Sequence, residues 1–325
     1  MEKQVVISPS PHLHSGRSTA GLMLDVIVAM LPALIASIWL FGWKALIVEI
    51  VCVASCIAAE YLCCVVLKKE QTVGDLSCVV TGLLLAFNLP ATIPLWQAVL
   101  GCVVAIVVVK GMFGGIGHNF VNPALAGRIV LMSSFAEDMT QWNPPLLVAD
   151  TTSSATPLAQ LAQVSAGETA ISSVAAEFPL WQMFVGLRGG CLGETCGAAL
   201  VLGFLYLVWR HVISPVIPLL FAGTVFVFVW VLTGDVVTAT YHLLSGGLLL
   251  GAIFMATDYT TSPINVPGKI VFAIGCGLIT VLIRLYGALP EGVSFAIIIM
   301  NILVPLIERS TRSIPFGQRR FRHET

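Results

Sequence analysis

Residues 22–41 read LMLDVIVAMLPALIASIWLF, an apolar run in which Asp25 is the single charge. A bilayer's hydrocarbon core takes about 20 apolar helical residues to cross. Residues 45–67 form a second such run, charged only at Glu49 and Glu60. Eight more follow at 76–89, 95–109, 120–135, 193–209, 212–232, 241–255, 270–285 and 293–307. The whole chain is 57% apolar and 10% charged, against about 25% charged residues in a soluble domain. Its mean hydropathy is +0.95. These numbers predict an all-α polytopic membrane protein with about ten transmembrane helices, and exclude a soluble enzyme. The net charge of −1 leaves no nucleic-acid footprint. Residues 1–20 hold Pro9, Pro11, His12, His14 and Arg17 and lack the apolar core of a cleavable signal.

Several runs are shorter than a usual span. The third and eighth end in polar, turn-like stretches, Asn88-Leu89-Pro90-Ala91-Thr92 and Ala256-Thr257-Asp258-Tyr259-Thr260. Interrupted segments at matching places in two halves point to a binding site near the membrane middle. The halves echo each other. Gly82-Leu83-Leu84-Leu85-Ala86 matches Gly247-Leu248-Leu249-Leu250-Gly251, and Asn122-Pro123 through Arg128 is weakly repeated by Asn301, Pro305 and Arg309. Five spans per half is odd, so the repeats would be inverted.

Charge orients the chain. With ten spans and the amino terminus inside, twelve basic residues fall on the cytoplasmic side: Lys3, Arg17, Lys68, Lys69, Lys110, Arg210, Lys269, Arg309, Arg312, Arg319, Arg320 and Arg322. Only Lys44 and Arg188 fall on the other, and Arg128 and Arg284 lie within or beside spans. The positive-inside rule then places both termini in the cytoplasm. The chain divides into an amino-terminal arm (1–21), a first membrane repeat (22–135), an external loop (136–192), a second repeat (193–308) and a basic tail (309–325). Trp43, Trp96, Trp209 and Tyr241 read as interface anchors. The nine cysteines form no C-x-x-C pair and read as packing residues. No catalytic triad, P-loop or zinc spacing is present, so no metal is expected.

Two stretches stand out. The external loop holds Ser154-Ala155-Thr156-Pro157-Leu158, a hydroxyl among small neighbours that another enzyme's active site could close around. The second is Lys110 to Arg128, rich in glycine, in which the G-x-G-x-x-G spacing fails at Phe120. Asn119 and Asn122 lie three apart, so on a helix both amides share one face. Such a pair suits either a flat heterocycle or helix capping and interhelical hydrogen bonding.

The chain resembles the family of D subunits of the Rnf complex and, more distantly, the B subunits of sodium-pumping NADH:quinone oxidoreductases. The resemblance rests on His118-Asn119-Phe120-Val121-Asn122-Pro123-Ala124-Leu125-Ala126-Gly127-Arg128 and Ser154-Ala155-Thr156-Pro157-Leu158. Phe254-Met255-Ala256-Thr257-Asp258 and Pro290-Glu291-Gly292-Val293-Ser294-Phe295-Ala296 extend it over nearly the whole chain. It implies two inverted five-helix repeats, urea-transporter-like, in the bacterial cytoplasmic (inner) membrane. It implies FMN in phosphoester linkage to Thr156, attached by an external flavin transferase. The commonest motif has glycine where this chain has Ser154. It further implies a non-covalent flavin, riboflavin, beside Asn119 and Asn122.

The implied function is that of one component of an ion-translocating ferredoxin:NAD+ oxidoreductase, passing electrons between flavins while the complex moves Na+ or H+. No complete active site lies in this chain alone. The implied partners are a membrane pair with an iron–sulfur centre, a second FMN-carrying subunit, and subunits facing NADH and ferredoxin. A component of a Na+-translocating NADH:quinone oxidoreductase, or a solute channel without redox role, are the alternatives. Intramembrane carboxylates default to functional readings. Asp25, Glu49, Glu60 and Asp258 therefore read as candidates for ion passage, proton relay or flavin contact, with Asp258, at a predicted break, foremost.

Overall fold

A computed structural model describes residues 18–142, 145, 156–165, 170–287 and 291–312. The amino-terminal arm up to residue 17, Ser154, Ala155, Pro290 and the tail beyond residue 312 lie outside the described residues. Among the described residues the protein is all-helical.

The first half contains α1 (Thr19–Phe41), α2 (Trp43–Val66), α3 (Ser77–Phe87), α4 (Leu95–Val103, continued as a π-helix over Val104–Gly111) and α5 (Pro123–Ser134). Four short helices follow: α6 (Ala136–Met139), α7 (Pro157–Ser165), α8 (Ile171–Glu177) and α9 (Leu180–Val185). The second half contains α10 (Gly197–Trp209), α11 (Val216–Thr233), α12 (Val236–Leu244), α13 (Leu248–Leu250, continued as a π-helix over Gly251–Met255), α14 (Val266–Tyr286) and α15 (Val293–Ser310). Each apolar run of the sequence overlaps at least one of these helices, and the run at 241–255 overlaps two. Five of them, α1, α2, α11, α14 and α15, are long and apolar enough to cross a membrane. The bent pair α12–α13 makes a sixth if taken as one span.

The remaining apolar helices stop short because other parts of the chain take over their terminal groups. In lipid every backbone polar group needs an internal partner, and a helix leaves its last carbonyls open. At the end of α3, Gly193 N donates to Phe87 O at 3.0 Å and Leu192 N to Leu89 O at 3.0 Å. At the end of α13, Asn122 Nδ2 donates to Met255 O at 3.3 Å. Helices also approach closely where glycine allows it. A Cβ on Gly127 of α5 would sit 2.7 Å from the Gly101 carbonyl of α4.

The eighth run breaks earlier than expected. Besides ending at Met255, it bends by 65° between α12 and α13, where Gly246 takes φ +62°. Arg284 of α14 satisfies the carbonyls opened there, donating to His242 O at 2.5 Å and Ser245 O at 2.9 Å. Gly247 N donates to Glu291 Oε1 at 2.9 Å.

The described residues of the segment expected as an external loop form short helices around a small core of Leu158, Leu161, Val174 and Met183 with Tyr241. Tyr241 is therefore not an interface anchor. It is 1% exposed, and its hydroxyl donates to Phe178 O at 2.7 Å. Trp43, Trp96 and Trp209 are exposed. Asp25 accepts from Tyr206 and Arg210 at 3.1–3.3 Å on a partly exposed edge. Glu49 is buried and accepts from Ser37 Oγ at 2.5 Å.

One buried charge ties the halves together. Arg128 of α5 donates to Asn88 Oδ1 at 2.5 Å and Ser294 Oγ at 3.2 Å, and pairs with Glu291. Removing one member of a buried ion pair leaves the other uncompensated and costs about 3–5 kcal/mol. Arg128→Met should therefore sharply lower the temperature at which half of the chain is lost from a heated detergent extract. The double change Arg128→Met with Glu291→Met should recover much of that loss. A double variant no more stable than the single one would show that pairing is not what Arg128 contributes.

Candidate functional site

Two open cavities flank α5, one at each end. The first, of about 860 Å³, is lined by Asn119, Asn122, Asp258, Lys110, Ser77 and Thr257 among others. The structure thus brings Asn119, Asn122 and Asp258 together, though not on a shared helix face. Pro123 opens α5, and Asn122 is its N-cap, with Oδ1 accepting from Ala124 N at 3.0 Å and Leu125 N at 3.3 Å. Asparagine before proline is a favoured helix start, so the helix begins after both amides. Asn122 is committed to capping and to Met255 O. Asn119 lies in the preceding turn, which passes through Gly115 and Gly117 at φ +101° and +90°. Its Nδ2 donates to Val121 O at 3.2 Å, and it lines the same cavity as Asp258.

Asp258 follows the end of α13 and accepts from Thr260 Oγ1 and Thr261 Oγ1, both at 3.1 Å. The repeat pattern pairs it with Asn88 in one pocket. The structure separates them, because Asn88 is engaged by Arg128 and by Leu84 O at 2.6 Å. Lys110, counted from sequence as a cytoplasmic charge, is 5% exposed. It sits on the π-helical end of α4 and donates to Glu60 Oε2 and Ser77 Oγ, each at 2.6 Å. Glu60 also accepts from Thr72 Oγ1 at 2.5 Å. Carboxylate and ammonium therefore neutralise each other.

The second cavity, of about 960 Å³, is lined by Thr156, Trp142, Arg128, Arg188, Glu194 and Glu291 among others. Thr156 is half-buried and caps α7, its Oγ1 accepting from Ala159 N at 3.2 Å. Leu158 and Leu161, both buried in the small core, hold α7 and with it the hydroxyl in place. Arg188 is 4% exposed. Its Nη2 donates to Glu194 O at 3.0 Å, Nη1 meets only Met183 Sδ at 4.0 Å, and Nε has no partner. Burial holds the Arg188 guanidinium below its ordinary pKa.

The cavities come close along α5. Ala124 lines the first and Arg128 the second; four residues of helix rise about 6 Å. A polar chain crosses the same partition. Asn122 donates to Met255 O, Asn88 Nδ2 reaches Met255 Sδ at 3.7 Å, and Arg128 donates to Asn88. The roles of Arg188, Glu194 and Arg284 escape the sequence reading. Arg128, Arg284 and Glu194, charges inside apolar runs, carry the signal that marks a buried partner; Arg188 lies in a glycine-rich loop and carries none. Among the described residues, no group of three or more His, Cys, Asp or Glu is placed to hold a metal ion.

A family model described as the NQR2, RnfD, RnfE family matches residues 6–317. The chain is 46% identical to the D subunit of the Na+-translocating ferredoxin:NAD+ oxidoreductase complex of Acetobacterium woodii, covering 99% of this chain and 98% of that protein. It is 39% identical to the D subunit of the proton-translocating ferredoxin:NAD+ oxidoreductase complex of Clostridium ljungdahlii, over 97% and 96% of the two chains. It is 37% identical to the D subunit of the ion-translocating oxidoreductase complex of Stutzerimonas stutzeri, over 91% and 92%. The chain belongs to the NQR2, RnfD, RnfE family.

Proposed function

We propose that this chain is the electron-carrying membrane subunit of an ion-translocating ferredoxin:NAD+ oxidoreductase complex. It would carry FMN in phosphoester linkage on Thr156 and a non-covalent flavin, riboflavin, in the cavity of Asn119, Asn122 and Asp258. The observation that carries this reading is the pair of cavities at the two ends of α5. One holds the motif threonine, and the other gathers the three remaining residues singled out from sequence. A flavin supplies one-electron transfer when bound. The protein's part is to fix depth and orientation.

Thr156 is held by the α7 cap and the core beneath it. Asn119 and the Asp258 turn present amide and carboxylate edges to a ring. Asn122 shapes the wall by starting α5. The membrane core is ~30 Å thick, so carriers at two depths shorten the path, and the partition between the cavities is thin.

The same reading has ten spans in two inverted repeats within the bacterial inner membrane. Both termini are cytoplasmic and the Thr156 segment is external, where a flavin transferase reaches it. Short helices whose ends are closed by the opposite half support that arrangement, as does the distribution of basic residues. Subunits bearing iron–sulfur, NADH- and ferredoxin-binding sites complete the complex. The named relatives differ in coupling ion, so Na+ and H+ both remain within the proposal.

Thr156→Ala should abolish the in-gel flavin fluorescence of the denatured chain when it is produced with its flavin transferase. A fully fluorescent band would place the flavin elsewhere. For the other cavity, Asn119→Leu with Asn122→Ser removes both amides while serine still caps α5. Leaving a ring edge unpaired costs about 1–3 kcal/mol, so acid-extractable flavin should fall while the Thr156 band persists. Unchanged extractable flavin in an assembled complex would return both residues to packing roles. Asp258→Asn retains size and hydrogen bonding and removes the charge. Assembly and Thr156 fluorescence should survive it, with ferredoxin:NAD+ turnover slowed or its dependence on sodium or pH altered. Wild-type turnover with unaltered ion dependence would rule out a charge role.

A further inference from the structure

Three arginines and two glutamates converge around the outer cavity: Arg128, Arg188, Arg284, Glu194 and Glu291, each at most 9% exposed. Their packing is tight. A Cβ on Gly247 would lie 3.0 Å from Glu291 Oε1, 3.1 Å from Glu194 Oε2 and 3.6 Å from Arg128 Nη1. Arg128 is paired with Glu291. Arg284 spends both terminal nitrogens on the carbonyls at the α12 break. Glu194 Oε1 accepts from Cys191 N at 3.1 Å, and its Oε2 has no partner.

Arg188, which lines the cavity, has no carboxylate oxygen within 4.0 Å among the described residues, as is also true of Arg284. Nε lacks a partner in all three arginines, but in Arg188 a terminal nitrogen, Nη1, also meets only a thioether, whereas both terminal nitrogens of Arg128 and Arg284 have oxygen acceptors. A buried guanidinium left this way is costly, and a fork of unfilled N–H groups suits the oxygens of a carboxylate or phosphate. With every group ionised, the cluster holds one positive charge more than negative. Such a site repels a cation and is completed by a monoanion.

The same cavity receives the N-terminus of α7, a nine-residue helix whose dipole also favours negative charge. Thr156 is its cap. A phosphate esterified on both sides carries a single negative charge.

We propose that Arg188 and the N-terminus of α7 form an anion cradle for the phosphodiester that joins flavin to Thr156. This rests on the reading of Thr156 as the attachment residue. The phosphodiester supplies the charge that the buried cluster lacks. Loading therefore stabilises the folded chain, by the rule that whatever binds only the native state stabilises it. An unloaded chain keeps Arg188 as an uncompensated cation.

The test is a double-mutant cycle on the detergent-purified complex, produced with its flavin transferase. The readout is the temperature at which half of this chain leaves solution. In the Thr156 background, Arg188→Gln should lower that temperature by roughly 5 °C, the size expected when a buried charge loses its partner. In the Thr156→Ala background the same change should leave it unchanged or raise it, because no anion is present to lose. Equal losses in both backgrounds, or disappearance of the chain in both, would assign Arg188 a structural role and overturn the inference while the fluorescent Thr156 band stands. A dark band from the unmutated chain overturns the attachment reading and this inference with it. If Arg188→Gln blocks attachment, Arg188→Lys, which keeps the charge, should restore the fluorescent band. A band still dark with lysine counts against the cradle.

Discussion

The structure depends on one requirement, that the charge of the Arg128 guanidinium be compensated inside an apolar bundle. An unpaired charge there would cost several kcal/mol, so its partners are held closely. They come from both halves of the chain: Asn88 at the end of α3, Ser294 on α15, and Glu291 just before α15. Glu291 in turn accepts from Gly247 N at the break between α12 and α13. A single cation thus fixes the end of one short helix, the start of another and the bend of a third. The small core under α7 packs against α12 through Tyr241, so the position of Thr156 is set from the same place.

That arrangement explains why the two cavities can lie so near each other without merging. The partition is made of helix ends, and helix ends carry polar groups that must be satisfied away from lipid. Asn122, Met255, Asn88 and Arg128 satisfy one another across it. With the Asn301 amide turned to suit its neighbours, its oxygen accepts from Asn122 N at 3.2 Å and its nitrogen donates to Thr261 O at 3.0 Å, which adds α15 to the same seal. Substitution at one of these positions therefore reaches beyond its own helix. Asn122 serves α5, α13 and α15 at once, and a change that spares its capping oxygen tests less structure than one that deletes it.

Much of this is legible in the residues. The ten apolar runs each overlap a helix, and the polar stretch after Phe87 marks a helix end. Asn119, Asn122 and Asp258 share a cavity. Helical periodicity is nonetheless the wrong reason for pairing the asparagines, since Pro123 starts the helix only after them. Tyr241 misleads because an amphipathic ring suits a membrane interface and a buried hydroxyl equally well. Its partner, Phe178 O, lies 63 positions away. Segment 136–192 reads as a loop because short helices with few apolar residues have no periodic signal. Their core borrows Tyr241 from α12.

Arg188 shows where local reasoning stops. By position it is one of two basic residues on the sparsely charged side, and by neighbourhood it lies in a glycine-rich turn. Nothing within several residues says that it is buried, or that Glu194 offers it a carbonyl rather than a carboxylate. Its character follows from Arg128 having already claimed Glu291, an allocation fixed by the meeting of α5 with α15. Two carboxylates cannot neutralise three guanidinium groups. The charge sign of the Thr156 cavity is thus a property of the assembled halves rather than of any motif.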